Sequence, residues 1–151
     1  TQMLDWFREH DRNVYRAAIS SLAEKRRLRL VFIQKKPLPE QYAWAIKNLR
    51  AKQNEEIAEH LLRSWLMSGH QEMLAMFCDA MGIEHDGKGA VSGALADDLD
   101  AAALDAAVDQ LLEKYDPTIV RIYLTMFNQQ KPDGWAVLTK KLEEDERLQA
   151  P

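Results

Sequence analysis

Lys25, Arg26, Arg27 and Arg29, followed by Lys35, Lys36, Lys47 and Arg50, are the residues of this sequence whose types and spacing best suit chemistry with a partner. Lysine and arginine beside an anionic polymer release its condensed counterions, which drives binding that weakens steeply with salt. Tyr42 and Trp44 add rings on which bases could stack. The competing reading is a solvated basic face that pairs with acidic residues of the same or a neighbouring molecule. It is favoured because no recognised nucleic-acid motif accompanies the charge. The pI of about 5.6 also lies far from the basic range of a dedicated nucleic-acid binder.

No other group of residues assembles into a reaction. Glu56 and His60 stand at i, i+4 and could share a metal with groups from another helix. The paired Glu-x-x-His motifs of helical metal sites and the His-Glu-x-x-His motif are both missing, however, and a surface or packed histidine is the better reading of His60, as of His10, His70 and His85. Glu84 to Gly89 superficially resembles a phosphate or calcium loop but lacks the spacing of either, and reads as a flexible turn. Met67, Met73, Met76 and Met81 with Cys78 suit either an adaptable groove or gap-filling core, and core is favoured. Ser20, Ser21, Ser64 and Ser68 have no Gly-x-Ser-x-Gly elbow. These patterns predict no catalytic residues, no metal and no cofactor, hence a protein that is not an enzyme.

Charge is distributed unevenly. Residues 1–54 carry 12 Lys and Arg against 5 Asp and Glu, a net +7, whereas residues 55–151 carry 8 against 19, a net −11. A basic half attracts anionic surfaces and an acidic half repels them, so the asymmetry bears on partners and assembly. It predicts a protein partner or self-association first, nucleic acid second, and no membrane partner. A single cysteine excludes an internal disulfide, and charged residues throughout the first 25 positions exclude a signal-peptide core, which together predict a cytoplasmic protein. At 151 residues with 46% hydrophobic content, the chain is expected to be a single helical domain over 1–151.

The elements that must position these residues read as helices nearly throughout. Leu4, Phe7, Val14, Ala18 and Leu22 have helical spacing, which permits one long helix or two joined by a kink. Residues 28–33 have strand-like composition, but no partner strand offers itself, and helix is expected there. A turn at 35–39 precedes a helix over about 39–51; Asn54 is placed to cap the next helix, which Ser68-Gly69 ends. A helix from about 70 to 81 stops at Gly82, and residues 84–98 form the one substantial loop. Helices over about 100–115, from Asp116-Pro117 onward, and from Trp135 onward follow. The run Glu143 to Glu146 opposes the helix dipole, so a frayed end is expected. The expected fold is all-α with about seven to eight helices. Trp65 to Gly69 and Tyr123 to Gly134 look alike, so armadillo- or HEAT-like stacked hairpins stand beside an ordinary bundle.

The motifs Lys36-Pro37 with Glu40 to Trp44, His60-Leu61-Leu62 with Trp65-Leu66, Gly82-Ile83 with His85-Asp86-Gly87, and Tyr123-Leu124 with Phe127-Asn128 and Trp135 are spread over most of the chain. Together they resemble a family of small uncharacterised bacterial proteins. The resemblance implies a helical, cytoplasmic bacterial protein and carries no activity, cofactor, partner or site residue. The expected function is therefore a non-enzymatic interaction or scaffold protein, with nucleic-acid or other polyanion binding by the basic half as the alternative.

Overall fold

The computed structural model describes residues 1–93 and 95–149; Ala94, inside the expected 84–98 loop, lies outside them. Among the described residues the fold is all-α, with nine α-helices, eight of them of seven residues or more, and no strands. Its contacts divide the chain into two compact units, Thr1–Trp65 and Leu66–Pro151. Counted by unit, the first holds 13 Lys and Arg against 8 Asp and Glu and the second 7 against 16. The charge asymmetry thus survives the shift of the boundary. No helix among the described residues is long and apolar enough to cross a membrane.

The first unit contains α1 (Gln2–His10), α2 (Arg12–Lys25), α3 (Leu30–Gln34), α4 (Leu38–Leu49) and the start of α5 (Glu55–Gly69). The kink permitted by the sequence is realised at Asp11, whose non-helical backbone (φ −151°, ψ 75°) ends α1 and whose carboxylate accepts the Val14 N–H at 3.3 Å to start α2. Leu4, Ile19, Leu22, Ile33, Tyr42 and Ala45 share one core. Asn54 does not cap α5 as expected. It is fully buried, its Nδ2 donates to the Asn48 carbonyl at 2.7 Å, and its Oδ1 has no partner. A 3-10 turn over Lys52–Asn54 has drawn the side chain inward, away from the helix end.

The second unit contains the rest of α5, α6 (Gln71–Met81), α7 (Ala101–Lys114), α8 (Pro117–Asn128) and α9 (Ala136–Glu144). Asp100 and Asp116 cap α7 and α8 through their carboxylates, and Gly82 ends α6 in the left-handed conformation. Val120 and Leu124 on α8 are fully buried, as befits the broad apolar stripe of that helix. The two stretches that look alike in sequence differ at their junctions. A single residue, His70, separates α5 from α6, whereas seven residues, 129–135, separate α8 from α9.

The acidic end of α9 is not frayed. Asp145 receives the Arg147 guanidinium at 3.0 and 2.7 Å and the Lys141 ammonium at 3.1 Å, and a 3-10 turn over Glu146–Leu148 buries Leu148. Cations and an apolar anchor outweigh an unfavourable helix dipole, which acts only over the last turn. The Arg147 guanidinium, and after it Lys141, hold the Asp145 carboxyl well below the usual carboxylate range. A group depressed on folding stabilises the native state above its unfolded value of about 4, and that contribution is lost as pH falls through the depressed range. Asp145→Asn is expected to cost about 1 kcal/mol at neutral pH, after allowance for the exposure of Arg147. Urea unfolding followed from pH 7 to pH 3 should show a shallower acid decline for the variant than for the parent; parallel profiles would refute the assignment.

Candidate interaction surface

Residues 25–36 contain Lys25, Arg26, Arg27, Arg29, Lys35 and Lys36 and no carboxylate. All six cations are exposed. The segment leaves α2 through a Schellman motif: the Arg27 N–H donates to the Glu24 carbonyl at 3.0 Å and the Leu28 N–H to the Ala23 carbonyl at 2.9 Å. That motif requires a left-handed residue, usually glycine. Here it is Arg27, with φ of 55°, the one non-glycine residue with positive φ among those described. The same motif after α6 uses Gly82, with φ of 69°.

A left-handed L-residue costs roughly 1 to 2 kcal/mol, of which glycine would recover part while losing some to its greater freedom when unfolded. Arg27→Gly is therefore expected to stabilise the protein by about 0.5 to 1 kcal/mol in urea titration. An unchanged or lower midpoint would show that the position is not strained. Backbone strain tends to collect where a side chain serves a purpose other than folding.

Arg29 then starts α3, a helix of five residues. The strand-like composition of residues 28–33 resolves as helix, as expected from the want of a pairing strand. Its two faces differ sharply. Leu30 packs against the core and Ile33 is buried within it, three residues apart. The intervening Val31 and Phe32 are 44% and 58% exposed, and Leu28 before them is 43% exposed. Lys35, the C-terminal cap of α3, donates its N–H to the Val31 carbonyl at 3.1 Å, four residues back, which sets it on the same face as that exposed residue; Lys36 follows it beyond the helix.

Of the eight candidate basic residues, six lie in this segment. Lys25 Nζ donates to the Gln53 carbonyl at 3.0 Å. Lys47 and Arg50 are exposed on α4 and at its C-terminal cap, and no hydrogen bond or ion pair links them to residues 25–36. Within the first unit none of the eight forms an ion pair. The Lys and Arg ion pairs among the described residues all lie in the second unit, where Lys141 meets Asp105 and Asp145, and Arg147 meets Asp109 and Asp145. The acidic unit thus neutralises part of its own charge, and the basic unit does not.

Neither ring expected to stack is freely exposed. Tyr42 is buried with its hydroxyl donating to Asp5 Oδ1 at 2.7 Å, and Trp44 packs against the core. The exposed ring is Phe32, which the spacing of residues 28–33 did not single out. The signal was available: apolar residues at four consecutive positions, 30–33, exceed what one face of a short helix can bury.

The remaining candidates lie apart from this segment. Glu56 and His60 are exposed on the rim of a shallow groove of about 270 Å³ between α2 and α5, and no three His, Cys, Asp or Glu residues converge among those described. His85 donates from Nε2 to Asp79 Oδ1 at 2.7 Å and accepts the Gly87 N–H on Nδ1 at 3.1 Å, so both ring nitrogens are engaged. The Glu84–Gly89 turn belongs to a closed hairpin, pinned by the His85–Val91 bridge and by the Asp86 carboxylate, which accepts the Lys88 and Ala90 N–H groups. Cys78 is fully buried, and burial raises its thiol pKa, the reverse of what a nucleophile needs. Met73 is core, whereas Met67 is 42% exposed. No protein-family model, curated protein or solved structure matches this chain.

Proposed function

We propose that this chain is a non-enzymatic interaction protein that engages an anionic partner through residues 25–36. The observation that carries the reading is six exposed cations, with no ion pair in their own unit, around three exposed apolar side chains on one short segment. Cations without a local carboxylate keep their full charge for an incoming anion, and the apolar residues add contact that salt does not screen. Asp105, Asp109 and Asp145 of the acidic unit are already paired within it, which leaves these carboxylates less ready to meet the basic segment of a second copy and favours an external partner.

Retention on a sulfated-polysaccharide resin tests this. The parent should need substantially more salt for elution than a variant carrying Arg26→Glu, Lys35→Glu and Lys36→Glu, while Lys47→Glu with Arg50→Glu should elute close to the parent. Both variants should keep the parent's far-UV circular dichroism, because exposed Lys and Arg contribute little to stability. Equal shifts for the two variants would show that general charge, and not this segment, holds the anion. Nucleic acid stands as the second reading because Phe32 presents a face on which a base can stack.

A further inference from the structure

We infer that the anionic partner of residues 25–36 is the surface of a lipid bilayer, into whose headgroup region Leu28, Val31 and Phe32 insert. The inference rests on the reading just given and names its partner. Peripheral attachment needs two signals acting together, an apolar insertion and a cationic cluster, because either alone gives only marginal binding. Both occur here within twelve residues. Four to eight Lys and Arg on or beside an amphipathic helix suit anionic lipid headgroups, and this segment has six. A bilayer partner departs from the expectation of no membrane partner drawn from the charge asymmetry; that no helix among the described residues is long enough to cross a membrane is no obstacle, since peripheral attachment requires none.

Two features favour a bilayer over other anions. Protein interfaces of ordinary size involve roughly 20 to 30 residues a side and are depleted in lysine. The exposed apolar surface here comes from three side chains, and half of the six cations are lysine. Single-stranded nucleic acid is held on successive aromatic platforms, yet two of the three exposed apolar residues, Leu28 and Val31, have no ring. A bilayer interface accepts aliphatic and aromatic side chains alike. Lys35 and Lys36, one turn beyond Val31 and Phe32, would then lie level with the phosphates while those residues enter.

The test is co-sedimentation of the full chain with vesicles of phosphatidylcholine alone or of phosphatidylcholine with phosphatidylserine. Binding to the anionic vesicles only, weakened by salt, is expected. Phe32→Ser should lower the partition about tenfold or more, and Arg26→Glu with Lys35→Glu and Lys36→Glu by about a hundredfold or more. Because Phe32 is mostly exposed, its loss should leave the circular dichroism unchanged. No sedimentation with anionic vesicles, or binding indifferent to Phe32→Ser, overturns the inference. If vesicles fail while the sulfated resin still distinguishes the charge variants, the bilayer is wrong and an anionic partner of another kind stands. If both fail, the proposed function falls with it.

Discussion

Replacing Gly89 by alanine is expected to destabilise the second unit by about 3 kcal/mol or more, the combined cost of backbone strain and overpacking. Gly89 has φ of 89°, a conformation that L-residues rarely adopt, and it is buried against α6. A methyl group there would come within 2.7 Å of the Leu74 carbonyl carbon and 2.8 Å of the Ala75 nitrogen. Both are backbone atoms of a helix interior and cannot rotate aside. The Gly89 carbonyl also accepts the Cys78 thiol at 3.7 Å, so displacing the hairpin costs that contact too. Gly87→Ala is the internal control, since φ is 85° there but nothing lies within 4 Å of the added methyl. Urea unfolding should rank the variants parent, Gly87→Ala, Gly89→Ala in falling stability. Equal losses for the two would mean that close approach to α6 has no energetic weight.

Trp135→Ala is expected to cost about 3 to 5 kcal/mol, in the upper range for truncating a buried aromatic residue. Trp135 is 1% exposed and stacks on Phe127 with ring centroids 5.2 Å apart, and Phe127 in turn meets Phe77 edge-on at 5.0 Å. Its indole nitrogen donates to the Ala96 carbonyl at 3.0 Å, tying the long loop to the start of α9. Its backbone N–H donates to Asn128 Oδ1 at 2.7 Å, which holds the turn between α8 and α9. Trp135→Phe keeps most of the packing and that backbone bond but leaves the Ala96 carbonyl without its donor, so a smaller loss of about 1 to 2 kcal/mol is expected. The difference between the two variants separates packing from the hydrogen bond. A loss under about 1 kcal/mol for Trp135→Ala would show that this aromatic cluster is not the centre of the unit's core.

The helices were legible where a local signal acts alone. Asp116-Pro117 caps α8 and Gly82 ends α6 as their residue types require, because a cap is settled by groups within one turn of each other. The predicted fraying of α9 failed for the opposite reason. Its local charge pattern is unfavourable, but Arg147 reaches back to Asp109 on α7 and Leu148 finds a buried site, neither of which is visible from neighbouring residues. Asn54 misled in the same way, since its composition suits a cap and its tertiary environment buries it.

The candidate surface divides along that line as well. Sequence alone determined that positive charge collects before residue 55 and that Lys25 to Lys36 form its densest run, because charge is a property of residue type and needs no fold. It also determined that the chain is helical, since every strong apolar stripe repeats near 3.6 residues. Only the tertiary structure decided which apolar residues of 28–33 go inward. α3 is a single short turn against a finite core, with room for Leu30 and Ile33, so Val31 and Phe32 are turned out among the cations. It alone decided, too, that these cations have no carboxylate to pair with in their own unit, because ion pairing depends on which helices meet, a matter that residue type and spacing along the chain leave open.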